Sequence, residues 1–342
     1  MSEQMKNQAR GGTTNSPVIF GARIKVAGVG GSGSNAVDHM INSGVHGVDF
    51  IVVNCDVQDL HHNKAKNKIH IGKNLTHGLG AGMNPEIGRR AAEETKDEIQ
   101  NALHGADLVF ITCGLGGGTG TGASPIIAEI AKNQGSLSIA VVTKPFSFEG
   151  LQRAKIAEDG LERLTELVDT VIIIPNDRLL EVSDRKTTLK TAFALCDDVL
   201  KNAVQGISEL ILKPGIINLD FADIRTIMAE AGPAMMGIGQ ATGNRRASDA
   251  ARRAINSPLL DISTEGARGI LFAVAGGENL TLHEISEAAK IITKSVDSEA
   301  KIIFGVFHDK TLKKGELKIT VIATGLTKPG LNITTPTCHE KI

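Results

Sequence analysis

Two stretches decide how this chain folds: GVGGSGSNAV at residues 28–37 and GGGTGTG at residues 116–122. Each follows an apolar run, RIKVAGVG (23–30) and DLVFITCG (107–114), and each precedes a helical pattern, the second being PIIAEIAKNQ (125–134). Glycine removes the side chains that would keep backbone N–H groups away from an anion, and the following helix N-terminus adds its positive dipole end. Gly28-x-Gly30-x-x-Gly33 alone also fits a dinucleotide site, with Asp49 or Asp56 placed for a ribose, or a plain strand–helix turn. A second cradle in one domain, with a third cluster at Gly78-Leu79-Gly80-Ala81-Gly82, suits a longer polyphosphate and disfavours a nicotinamide-dependent oxidoreductase.

No G-x-x-x-x-G-K-[ST] motif occurs, and the glycine loops hold no Lys or Arg. Phosphate charge must then be met by backbone amides, helix dipoles and a divalent cation, with Arg153 as a candidate helper. The two main cradles also lack Asp, Glu and His, so they can hold phosphates but cannot orient an attacking water. A catalytic carboxylate must come from elsewhere, including another copy of the chain.

Outward from these loops, further apolar runs lie at 48–54, 68–72, 137–145 and 170–176, with helical patterns at 85–103 and 150–168. This alternation predicts an α/β fold with a Rossmann-like, mostly parallel sheet covered by helices. The pattern from Thr187 to Leu212 has apolar residues at 189, 192, 193, 196, 199, 203, 207 and 210, a long central helix stopped by Lys213-Pro214-Gly215. A smaller α/β region follows. The expected organisation is an arm at 1–20, a nucleotide domain at 21–186, the helix at 187–212, a C-terminal domain with a mixed sheet at 213–326 and a polar tail at 327–342.

Composition narrows the function. The 342 residues carry 37 Lys+Arg against 38 Asp+Glu, so no basic footprint points to nucleic acid. Aromatics are only 3%, with neither Trp nor Tyr, which disfavours base-stacking single-strand binders. Glycine reaches 38 residues, thirteen of them in the three loops 28–33, 78–82 and 114–122, so the surplus serves a site built from backbone. Four scattered cysteines without a CxxC pair, no membrane-length apolar run and a polar opening stretch lead to the expectation of a soluble cytoplasmic protein without direct membrane insertion. His61, His62, His70 and His77 lack ligand spacing, leaving any metal-ligating residues unknown. Arg245-Arg246 and Arg252-Arg253 read as a solvated helix face, and Met235-Met236 as core.

The ordered pair of glycine loops, together with VNCDVQ (53–58), GLGAGMNPEIG (78–88), VTKPFSFEG (142–150), IPNDRLL (174–180) and NLDFADIRTIM (218–228), resembles the tubulin/FtsZ family over residues 20–327. The resemblance implies a GTP-binding domain, a central helix and a C-terminal GTPase-activating domain. It implies that Gly31, Ser32, Gly33, Ser34 and Asn35, with Gly117, Gly118, Thr119, Gly120 and Thr121, hold the phosphates of GTP or GDP with Mg2+. It further implies Glu149 and Arg153 near ribose and phosphate, Phe193 stacked on the base, and Asn176 and Asp197 at guanine or ribose. By spacing alone, Phe193 and Asp197 read as a packed ring and a solvated helix position.

Asn218, Asp220 and Asp223 match the family's segment that enters the next subunit's site, although Asp220 by itself reads as an ordinary N-cap. The implied activity is GTP hydrolysis at head-to-tail interfaces of a self-assembling division-ring protein, cytoplasmic and placed at the division site. Two departures stand out. Cys55 occupies a position where the family usually has Thr, and LTKPGLNITTPTCHEKI (326–342) contains no match to the acidic-apolar peptide with which relatives dock on division-ring and membrane-tethering partners.

Overall fold

The computed structural model describes residues 21–182, 187–213, 215–217, 219–257, 266–294, 296–309 and 312–326. The arm at 1–20, the tail at 327–342 and Asn218 lie outside the described residues. Ten strands, β1 (Ile24–Val29), β2 (Val48–Asn54), β3 (Asn67–His70), β4 (Leu108–Gly114), β5 (Leu137–Lys144), β6 (Thr170–Pro175), β7 (Gly232–Thr242), β8 (Gly269–Gly276), β9 (Lys301–His308) and β10 (Glu316–Thr324), form one sheet. Their order is β3-β2-β1-β4-β5-β6-β7-β10-β8-β9.

The first six strands are all parallel, in the 3-2-1-4-5-6 order of doubly wound nucleotide-binding sheets. The last four are mixed: β10 runs antiparallel to β7 and β8, and β8 runs parallel to β9. A short parallel pairing, Thr170↔Gly232 to Ile172↔Ala234, joins the two halves.

Continuous apolar runs place strand residues on two buried faces. Val26, Phe110 and Val141 point toward the face covered by the central helix Leu189–Leu212. Ala27, Ile111 and Val142 point toward the face covered by Pro85–Glu94, Lys96–Leu103, Thr119–Asn133 and Leu151–Leu167. The central helix buries Ala192, Cys196, Leu200, Ala203, Val204, Ile207 and Leu210. Its core also takes in Leu271, Ala273, Phe307 and Ile322 from the mixed half, so one helix packs on both halves. Replacing the fully buried Leu200 with Ala would cost about 2–5 kcal/mol.

Three readings are corrected. The pattern at 85–103 is two helices, broken at Thr95 (φ −116°, ψ 23°), whose hydroxyl bonds back to the Ala91 carbonyl at 3.2 Å. The helices after β1 and β4 start inside the glycine loops, at Gly30 and Thr119. Arg246 is not on a solvated face: it is buried and pairs with Glu284 at 2.6 Å, tying Arg246–Ile255 to Leu282–Thr293. Among the described residues no helix is long and apolar enough to cross a membrane.

Candidate functional site

β1 lies between β2 and β4, so chain connections leave it on both sides and a crevice opens beyond the strand ends. There β1 passes through Gly30, in the left-handed region at φ +70°, into the helix Gly30–Asn42. A Cβ on Gly30 would lie 2.8 Å from the Gly120 amide nitrogen, so the two loops can approach this closely only without side chains. The third cluster closes the cradle, with the Gly118 amide donating to the Gly82 carbonyl at 2.7 Å. Two helix N-termini, each with N–H groups lacking intrahelical partners, therefore lie side by side at one crevice.

The resulting cleft holds about 570 Å³, within the usual range for small-molecule sites. Gly31, Ser32, Asn35, Gly117, Gly118, Thr119 and Gly120 line the part built from the glycine loops. Glu149, Arg153, Asn176, Phe193 and Asp197 line the remainder. Arg153 pairs with Glu149 at 2.8 Å, and Glu149 also accepts the Phe146 amide at 2.9 Å, so the arginine is held over the loop by a fixed carboxylate.

Asn176 opens the helix after β6; it is buried, and its side-chain oxygen has no hydrogen-bond partner. A buried acceptor without a donor is costly, so this atom is placed for a ligand donor. Phe193 is 43% exposed and packs edge-on against Phe146, leaving ring surface for a base. One turn further along the same helix, burial pushes the Asp197 carboxyl up to about 6, with neighbouring Asp198 raising it and His39 lowering it.

Gly33, Ser34 and Thr121 do not line the cleft. The Ser34 hydroxyl donates to the Gly30 carbonyl at 2.8 Å, Thr121 accepts the Gly116 amide at 2.9 Å, and Gly33 packs against the Thr112 carbonyl. They shape the loops from beneath. Conversely, Asn54, Asp59 and Thr143 do line the cleft and were missed. Asn54 donates to Asp59 at 3.3 Å and accepts the Asp56 amide at 3.3 Å. The available signal was their position near the carboxyl ends of β2 and β5: Asn54 ends β2, Asp59 sits in the helix Val57–His62 that follows it, and Thr143 is the last residue but one of β5.

Among the described residues no group of three or more His, Cys, Asp or Glu could hold a metal by itself. Asp56 and Asp59 supply oxygen donors beside Gly31, and this suits Mg2+, which usually takes one or two carboxylates with phosphate oxygens and water. Burial pushes the Cys55 thiol up, with a Thr119 hydrogen bond opposing, so it remains a protonated neighbour of the loop.

Asp220 and Asp223 are exposed and stand outside this cleft. They cap the helix Phe221–Met228: Asp220 accepts from the Ala222 amide at 3.3 Å, and Asp223 accepts from the Asp220 amide at 3.4 Å. The N-cap reading therefore holds as local structure.

Residues 23–184 match the tubulin/FtsZ family GTPase domain, and residues 232–327 match the FtsZ family C-terminal domain. The structure of an empty FtsZ dimer from M. jannaschii is 47% identical, covers 89% of this chain and 88% of that one, and superposes with a TM-score of 0.85. The chain belongs to the FtsZ family. It is accordingly a GTPase. At 22% identity, CetZ1 from Haloferax volcanii, a GDP-bound monomer, shares the fold with a TM-score of 0.78 over 90% of this chain and 95% of that one. CetZ2 from the same organism, a GTPγS-bound protofilament, does so with 0.75 over 90% and 94%, also at 22% identity.

Proposed function

We propose that this FtsZ-family GTPase assembles head to tail into filaments of a cell-division ring, in the cytoplasm at the division site, with membrane-tethering proteins as partners. In this reading the glycine loops of one subunit hold GTP with Mg2+, and Asp220 and Asp223 of the next subunit orient water toward the γ-phosphate. Asn218 enters the same gap, while Phe193, Asp197 and Asn176 read guanine and ribose. The segments 21–186, 187–212 and 213–326 act as nucleotide domain, connecting helix and activating domain.

The observation that carries this reading is the separation of parts. Of the carboxylates lining the cleft, Asp56 caps the helix Val57–His62, Asp59 accepts from Asn54, Glu149 holds Arg153, and Asp197 lies one helical turn from Phe193. Asp220 and Asp223 are exposed and lie outside the cleft. An exposed apolar side chain accompanies each part, Leu79 at the cleft (86% exposed) and Ile216 near Asp220 (71% exposed). Contacts between unlike faces generate filaments where the repeat does not close into a ring. The FtsZ dimer and the CetZ2 protofilament are relatives that do associate.

GTP turnover measured against protein concentration tests the proposal. Turnover per molecule should be negligible below a threshold and rise above it in parallel with sedimentable filaments. A rate per molecule independent of concentration would overturn the shared site.

A further inference from the structure

The helix Phe221–Met228 carries the Asp pair at its N-terminal end, and its exit is held by side chains from both halves of the sheet. Carbonyls in the last turn of a helix have no intrahelical donors. Here the Thr170 hydroxyl donates to the Met228 carbonyl, and the Thr324 hydroxyl donates to the Ile227 carbonyl at 3.3 Å. Thr170 opens β6, the last strand of the parallel half, and Thr324 closes β10 of the mixed half; both are buried.

Beyond the helix the chain turns through Glu230 at φ +52°, a left-handed conformation that a residue with a side chain adopts only when its surroundings hold it there. The Glu230 amide donates to one carboxylate oxygen of Asp169 at 3.3 Å. The other Asp169 oxygen accepts the backbone amide and the hydroxyl of Ser138 on β5, both at 2.8 Å. The Gly232 amide then donates to the Asp169 carbonyl at 2.9 Å as β7 begins. Ahead of the helix, the Ile216 amide donates to the Val306 carbonyl on β9 at 2.8 Å, and the Val306 amide donates to the Ile217 carbonyl at 3.2 Å. The entry is thus tied to the mixed half alone, whereas the exit is tied to the mixed half through Thr324 and to the parallel half through the consecutive residues Asp169 and Thr170.

We propose that Asp169 and Thr170 are positioning residues for GTP hydrolysis, setting where the helix Phe221–Met228 presents Asp220 and Asp223. The inference rests on the reading that this pair acts in the neighbouring subunit's cleft. Eight residues of helix span about 12 Å, so a tilt of about 5° at the exit moves the N-terminal end by about 1 Å. Displacements of that size at a reacting centre can cost about 100-fold in rate. Asp169 and Thr170 lie outside the cleft, so GTP binding does not depend on them.

Thr170→Val keeps the size and β-branching and removes only the hydroxyl. GDP affinity and sedimented polymer are expected to stay within about twofold of wild type, while turnover per polymerised subunit falls about tenfold and Thr170→Ser restores most of it. On an Asp220→Ala/Asp223→Ala background, Thr170→Val should add no further loss, because both groups it positions are gone. Asp169→Asn, which weakens the hold on Ser138 and Glu230, should show the same split with a smaller loss, and serves if Thr170→Val does not fold. Unchanged turnover in the folded variant, or an equal loss on the Asp220→Ala/Asp223→Ala background, overturns the inference. Normal turnover in Asp223→Ala alone overturns the shared-site reading itself, so the two failures separate.

Discussion

The cleft and the Asp220–Asp223 face use their residues in opposite ways. In the cleft, the proposed recognition of phosphate rests on backbone: loops packed so tightly that Gly30 meets Gly120 and the Gly118 amide bonds to Gly82. On the other face, two exposed side chains stand on a short helix whose backbone is tied down at both ends. Changes in the cleft should therefore alter nucleotide affinity in the same subunit. Changes on the Asp face should spare affinity and alter turnover in the next one.

The largest effect that sharpens this contrast belongs to Gly30→Ala. The new Cβ would combine a left-handed backbone with a 2.8 Å approach to the Gly120 nitrogen. Loss of the loop contact should reduce GDP affinity at least about 100-fold by calorimetry, equivalent to about 2.8 kcal/mol. Near-normal affinity would show that the two loops need not touch. Next comes Phe193→Ala, which removes the ring proposed to stack on the base. Base–aromatic stacking is worth about 1–3 kcal/mol, so affinity should fall roughly tenfold or more while the threshold dependence of turnover persists.

A third prediction concerns pH. With its carboxyl pushed up to about 6, Asp197 loses the charge proposed to accept guanine N–H groups as pH falls through that value. GDP affinity should then drop by up to about tenfold per pH unit below 6. The nucleotide-free protein should respond in the opposite sense. The folded state holds this proton more tightly than the unfolded chain, whose carboxyl titrates near 3.8, so this group's contribution to stability rises as pH falls from about 6 toward 4. Asp197→Asn should abolish both trends. The smallest effect is at the part-exposed pair His39–Asp198, 2.9 Å apart, where a double-mutant cycle on unfolding should give about 0.5 kcal/mol.

The sheet was legible because its strands are buried on both faces and therefore appear as unbroken apolar runs. The joining of the halves was not, because the β6–β7 pairing rests on only three residue pairs far apart in sequence, Thr170↔Gly232 to Ile172↔Ala234. The helix break at Thr95 was hidden because Pro85–Leu103 keeps a helical pattern and a single threonine carries little warning. In the site, glycine density pointed to the phosphate loops, yet Gly33, Ser34 and Thr121 proved to support the cradle from beneath. Whether a residue in a loop faces ligand or core depends on backbone direction, which composition does not encode. Asn54, Asp59 and Thr143 are small polar residues near strand ends, a signal shared with ordinary caps. Asp220 and Asp223 show the same ambiguity from the other side: they do cap a helix, and only the resemblance assigned them chemistry.

Asp223→Ala tests the shared site most directly, with GTP binding and turnover per polymerised subunit measured on the same sample. The account predicts affinity within about twofold of wild type and turnover reduced at least about 100-fold, the scale on which a positioned proton-transfer group acts. Wild-type turnover in assembled filaments, or a loss of binding that accounts for the loss of turnover, would contradict it.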